Sequence, residues 1–311
     1  GTTEIHLRSS DWERHHHHSD QAYNNVILHV VYICDQEVFR ENGTPIPQLS
    51  LEELVSESFI NNYDQLMAAL NWIPCEKQVN LIDPFYVKSW LSRILIERLE
   101  RKSESFNEVL AEFKGSWDDS FYIMLARNFG FKTNALPFEL LARALPRQVL
   151  AKHTNSLLQI EALVFGQAGF LEQKFSDAYP LSLKREYQFL RTKYSLQPID
   201  HFTWKYMRLR PPNFPAIRLA QFAALVFESN HLFSKILELN DPAFIGSLFA
   251  GLPINNYWAN HYRFDVVSEK SNKQIGDQSI NNILINTVAV GLFAYGHYVD
   301  RQDKIDLAVT L

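Results

Sequence analysis

The chain has 311 residues, 46% hydrophobic and 13% aromatic, enough for one large domain or two ordinary ones around a sizeable core. A net charge of -5 argues against a surface that coats nucleic acid generally, so a phosphate-bearing partner needs a local basic patch. No apolar run of about 18 residues stands out to suggest a membrane span, no signal-peptide pattern opens the chain, and Cys34 and Cys75 form no CxxC pair, which leaves two buried free thiols in a reducing cytoplasm as the expectation.

Glu4-Ile5-His6-Leu7 alternates polar and apolar, so a strand carries Glu4 and His6 on one face and Ile5 and Leu7 on the other. Same-face neighbours on a strand sit roughly 6.5–7 Å apart, close enough for both to reach one metal ion or one water. Ser10 followed by Glu13 is a capping box and predicts a helix from Trp12 through His15–His18, Asp20 and Tyr23 to Asn24. Residues three and four apart share a helix face, so His16 with Asp20, or His15 with His18, could chelate a metal; a solvated polar face is the plain alternative. The β-branched run Val26–Ile33 predicts a central strand buried on both faces, with His29 as a hydrogen-bonded core histidine.

Asn42-Gly43 followed by Pro45 and Pro47 predicts a turn and an extended exit. The boundary is placed there: a small α/β strand–helix–strand piece at 1–48, then an α-helical domain at 49–311. Ser50 with Glu53 predicts the first of its helices, Leu51–Leu70. Helical periodicity recurs at Val87–Phe113 (a stripe of Trp90, Leu91, Ile94, Leu95 and Leu99), Phe121–Phe129, Pro137–Leu145, His153–Phe165, Leu181–Tyr194, Phe214–Phe227, His231–Leu239, Pro242–Phe249 and Ile280–Tyr295. Trp258–Val267 reads as extended. The fold class is therefore mostly α-helical with a small N-terminal α/β piece.

Two stretches lack acidic residues. From His201 to Phe227 stand Lys205, Arg208, Arg210 and Arg218, interleaved with Trp204, Tyr206 and Phe214. Between Glu139 and Glu161 stand Arg143, Arg147, Lys152 and His153. Cations neutralise phosphates and aromatics stack on bases, so the first stretch is the better nucleic-acid candidate; helix-end charges beside core aromatics are the alternative. Asn255-Asn256-Tyr257-Trp258 with Asn260, His261 and Tyr262 could line a cleft. No GxGxxG, P-loop, GxSxG or HExxH occurs, which removes most support for nucleotide-dependent and serine-hydrolase chemistry.

Several of these stretches together resemble an uncharacterised bacterial family, domain of unknown function 2851: Glu4-Ile5-His6 with Ser9–Trp12, then His15, His17, Asp20 and Tyr23, then Val26–Val31. Leu125–Lys132, Ala151–His153, Ile160–Gly169, Arg208–Pro215 and Ile285–Thr287 extend it over most of the chain. The resemblance implies members that begin upstream of Glu4 with an Asn-Ala-Gly-Pro-Asp-Phe-like segment and continue past Leu311, so the chain is expected to be truncated at both ends. The N-terminal part also resembles the PD-(D/E)XK nuclease fold, with Glu4-Ile5-His6 in the Glu-x-Lys place, His6 replacing Lys, Asp20 and Tyr23 on the following helix and Val26–Ile33 as the next strand.

That second resemblance implies a truncated restriction-endonuclease-like core and a divalent-metal-dependent enzyme acting on phosphodiesters. Glu4 and His6 are then catalytic. Glu4, His15, His17 and Asp20 are metal ligands, for Mg²⁺ or Mn²⁺, with Zn²⁺ the other choice. Tyr23 then hydrogen-bonds a backbone phosphate, and the acid-free stretch separately makes Lys205, Arg208, Arg210 and Arg218 the residues expected to bind nucleic acid. The upstream Asp ligand is absent from the given sequence, so the chain alone is expected to be inactive. The competing reading is a non-enzymatic helical scaffold that binds a protein partner.

Overall fold

The computed structural model describes residues 1–68, 72–73, 75–229 and 231–311. The chain divides into two compact units, Gly1–Lys88 and Ser89–Leu311. Residues 49–88 therefore group with the N-terminal sheet, not with the helical remainder as expected from the turn at Asn42-Gly43.

In the first unit β1 (Thr2–Arg8), β2 (Val26–Ile33) and β3 (Gln48–Ser50) form a sheet in the order β1-β2-β3, with both pairs parallel. The β-branched strand is central, as predicted, and Val26, His29 and Val31 are buried on it. Ile27 is 59% exposed and Leu28, Val30, Tyr32 and Ile33 are only half-buried, contrary to the two-face expectation. β1 keeps its alternation: Glu4 and His6 are half-buried while Ile5 and Leu7 are exposed.

Parallel neighbours cannot be joined by a hairpin; the chain must cross back over the sheet. Residues 9–25 are that crossover, and the continuous helix predicted there does not form. Only α1 (Asp11–Arg14) is α-helical, followed by 3₁₀ turns at His17–Ser19 and Gln21–Asn25. The Ser10 hydroxyl is not a cap. It donates to Asp35 Oδ2 at 2.8 Å, and the Ser9 hydroxyl donates to Asp35 Oδ1 at 2.8 Å. The Ser10 N–H and the two hydroxyls hold the Asp35 carboxyl down at about 2. His16 then takes a left-handed conformation, φ 61°, which ends any helical run. Trp12 anchors the crossover in a small core with Val26, Val38 and Ile46, its Nε1–H donating to Phe39 O at 3.1 Å.

Ser50 ends β3 instead of opening a helix; its hydroxyl donates to Tyr32 O at 3.1 Å. The capping role falls to Ser56, whose Oγ accepts from Phe59 N, so the helix starts later than predicted, as α2 (Glu57–Met67). Ala69 and Leu70, the predicted end of that helix, lie outside the described residues. One more turn, α3 (Glu76–Val79), follows. Cys34 and Cys75 are both exposed, which corrects the expectation of buried thiols.

From residue 84 the chain is almost wholly helical: α4 (Pro84–Glu112), α5 (Trp117–Phe129), α6 (Phe131–Ala144), α7 (Arg147–Leu150), α8 (Leu157–Gln167), α9 (Ala178–Tyr194), α10 (Pro215–Glu228), α11 (Leu232–Glu238), α12 (Pro242–Ser247), α13 (Asp277–Ile283), α14 (Ala289–Val299) and α15 (Gln302–Thr310). A π turn, Leu284–Val288, joins α13 to α14. The predicted extended stretch is a 3₁₀ turn, Asn256–Asn260, then a short antiparallel pair, β4 (His261–Arg263) and β5 (Val266–Val267). Phe106, Phe129, Phe165, Phe222, Phe249 and Trp258 centre the core, which α8 and α10 cross buried on nearly every side. On α4 the predicted stripe is buried only from Leu99 onward, and Trp90, Leu91 and Ile94 are exposed. Asp277–Tyr298 reaches a mean hydropathy of 1.2 over an 18-residue window, and 67% of that window is buried inside the fold, as a core helix requires.

Candidate metal centre

Register decides which side chains meet. Glu4 pairs with His29 and His6 with Val31 across the β1–β2 ladder. His6 Nδ1 lies 2.9 Å from His29 Nε2. The crossover lays its own histidines over that pair. His15 Nδ1 is 3.2 Å from His6 Nε2. The His17 ring stacks on His6 with centroids 5.3 Å apart. The left-handed residue at His16 turns His17 back toward the sheet and leaves His16 and His18 exposed. His6, His15 and His17 thus offer three ligand nitrogens within 4.8 Å of one another.

The separation of His6 and His15 fits one small ion. Ring nitrogens bound at about 2.0–2.1 Å in tetrahedral geometry stand ~3.3 Å from each other, close to the observed separation of His15 and His6. Protonation favours the same outcome. Burial, above all, lowers the pKa of His6 and His17; Glu4 opposes this in both, and the neighbouring histidines reinforce it. Burial and then His6 bring His29 down to about 4. A lowered pKa favours the neutral ring, the state in which imidazole ligates.

The remaining residues singled out in the sequence fall around this group in different ways. Glu4 Oε1 is 3.8 Å from His6 Nε2, at the margin of the cluster. Asp20 is turned to its own backbone, where Oδ1 accepts from Ala22 N at 2.9 Å. It reaches His17 only as a nearby charge. Tyr23 stacks on His17 at 3.7 Å and meets Trp12 edge-on, so it braces a candidate ligand. His29 is fully buried, and its Nδ1 makes no hydrogen bond to a described residue.

The match to a family model comes from the whole chain, residues 1–311. The chain belongs to DUF2851, a family described as protein of unknown function. No curated protein and no solved structure matches it at a significant level. The nuclease-like core expected from Glu4-Ile5-His6 has no support among these comparisons.

In this DUF2851 chain the predicted nucleic-acid residues of the second unit are not equivalent. Lys205, Arg208 and Arg210 are exposed, and none forms an ion pair among the described residues. Arg218 is buried: it donates to Gln221 Oε1, Asn213 Oδ1 and Ser279 Oγ and lies over the Phe131 ring. Burial lowers its guanidinium to about 10. It lines a pocket of about 290 Å³ with Asn134, Asn213 and Ser279. The second basic stretch is spoken for internally. Arg143 pairs with Glu112 and Glu139, Arg147 pairs with Asp119, and His153 lies between Gln159 and Tyr194.

The Asn255–Tyr262 stretch packs as structure. Tyr257 donates to Asp177 Oδ2 at 2.9 Å and stacks on His261, and Trp258 is fully buried. Beside it stands a residue that periodicity could not single out. Glu161 is wholly buried on α8, and burial raises its carboxyl to about 7 despite the Tyr179 hydroxyl and the Asn255 side chain. Its one signal in the sequence is a carboxylate inside the apolar run Ile160–Phe165.

Proposed function

We propose that the N-terminal unit binds a divalent transition-metal ion on His6, His15 and His17 and uses it for hydrolysis of phosphodiesters. The convergence of three ring nitrogens within 4.8 Å carries this reading. A three-imidazole set suits Zn²⁺ better than Mg²⁺, which takes oxygen ligands. The metal preference accordingly moves from Mg²⁺ or Mn²⁺ to Zn²⁺. His6 becomes a ligand instead of the base expected in the Lys position, because Nδ1 is engaged by His29 and Nε2 faces His15.

A Zn²⁺ held by these three rings would supply Lewis-acid chemistry and would lower the pKa of a water in its fourth position. Glu4, beside His6, is the group that would accept a proton there and return it to the departing alkoxide as the phosphorus–oxygen bond breaks. Tyr23 holds His17 in place by stacking.

The first test is metal content. Metal-free chain dialysed against Zn²⁺ should take up one equivalent. His6→Ala, His15→Ala and His17→Ala should each weaken uptake by at least about tenfold, while His16→Ala and His18→Ala retain it. No uptake, or equal losses at all five positions, sinks the reading. Hydrolysis of bis(4-nitrophenyl) phosphate by the loaded chain, lost in Glu4→Gln, tests the chemistry. Without metal uptake the scaffold reading leads. It is favoured by Phe59, Tyr63, Leu66 and Met67, all exposed on α2.

A further inference from the structure

Arg98, Arg101 and Lys102 are three and four residues apart on α4, so they share one helix face. α5 brings Arg127 to the same place. After burial, the charges of Arg98, Arg101 and Arg127 hold the Lys102 ammonium below its ordinary value. Arg101, Lys102 and Arg127 line a pocket of about 310 Å³ together with Asn128 and Asn286, and no Asp or Glu is among the lining residues. Among the described residues the one carboxylate paired with any of the four cations is Glu139, 3.5 Å from Arg127.

A neutral amide stands where a carboxylate would be expected. Arg98 Nη2 and Lys102 Nζ both donate to Asn286 Oδ1, at 2.9 and 2.7 Å. Asn286 sits on the π turn Leu284–Val288, and such single-turn widenings recur at functional sites. Asn128 fixes that turn to α5, donating to Asn286 O at 3.2 Å and Thr287 Oγ1 at 2.7 Å. The chain carries 35 acidic residues against 30 basic ones and pairs Arg143, Arg147 and Arg301 with carboxylates elsewhere. Cations crowded in a partly buried pocket repel one another, and a bound anion relieves that cost through charge-assisted hydrogen bonds.

We propose that this pocket binds a phosphate monoester, held by the guanidinium groups of Arg101 and Arg127 and the ammonium of Lys102, with Asn128 and Asn286 shaping the floor. Guanidinium forks match phosphate oxygens two at a time, and the volume leaves room for the group that carries the phosphate. The site lies wholly within Ser89–Leu311 and rests on nothing in the metal centre, so the two readings stand or fall separately.

Calorimetric titration of the full chain at low salt tests it, with AMP, and with one oligonucleotide sequence bearing either a 5′-phosphate or a 5′-hydroxyl. Among the described residues Arg101 forms no ion pair and no side-chain hydrogen bond that its removal would break, so Arg101→Gln is the cleanest variant. Arg101→Gln should keep the wild-type melting temperature and weaken binding by at least about tenfold. Lys270→Gln, at an exposed cation outside the pocket, should bind as wild type. Binding of AMP assigns the phosphate to a free nucleotide; preference for the 5′-phosphorylated strand assigns it to a strand end; either supports the site. No saturable binding of any probe, equal binding of the two oligonucleotides without AMP binding, or wild-type affinity in Arg101→Gln overturns it.

Discussion

His6 Nδ1 stands 2.9 Å from His29 Nε2 across the parallel β1–β2 pair, and the proposed metal centre requires one tautomer at this contact. For His6 to ligate through Nε2, its Nδ1–H must donate to His29 Nε2. His29 then carries its own proton on the buried Nδ1. An outer imidazole that accepts from a ligand ring fixes the orientation of that ring.

His29→Leu therefore leaves all three ligands in place but releases His6 to turn. Zn²⁺ affinity should fall by roughly 10–100-fold, read by competition with a chelator. Affinity within twofold of wild type would show that His29 orients nothing.

Trp12 is fully buried, and it touches His17, Tyr23 and His29 at once. Trp12→Ala should destabilise the first unit by about 3–5 kcal/mol through the cavity it leaves and the Phe39 carbonyl it orphans. Urea unfolding followed by metal release should show the loss at a lower denaturant midpoint. An unchanged midpoint would mean that Trp12 does not hold the crossover down.

Glu161 gives the helical unit a pH dependence of known sign. Its folded pKa, about 7, lies above its unfolded value, so between those limits the folded state binds more protons than the unfolded state. Stability is then highest below the unfolded pKa and falls as pH rises toward about 7, by roughly 3 kcal/mol in all. Glu161→Gln should flatten that slope and raise the melting temperature at pH 8. A variant with the wild-type slope would place the titration elsewhere.

Gly166 lies where α8 meets the Tyr187 ring of α9; an added Cβ would come within 2.1 Å of that ring. Gly166→Ala should cost about 1–3 kcal/mol by overpacking. A thermal melt that does not move would show that α9 yields easily at this contact.

Periodicity alone located most of the helices, because a helix that buries one stripe repeats that stripe in its sequence. The strand Val26–Ile33 was legible for the same kind of reason: a β-branched apolar run of that length fits a central strand. Alternation also placed Glu4 and His6 on one face of β1 before any pairing was known. Tertiary structure decided what those faces meet. The capping box at Ser10 was locally sound, but Asp35, 25 residues away, takes the Ser10 hydroxyl, and the helix stops after a turn. His15 and His17, which no regular helix would set on one face, converge on His6 because His16 reverses the chain and parallel pairing sends the crossover over the sheet. The same limit hid the cluster on α4 and α5. Arg98, Arg101 and Lys102 are visible as a helix face, but Arg127 and Asn286 join them only through packing between segments far apart in sequence, which no local pattern encodes.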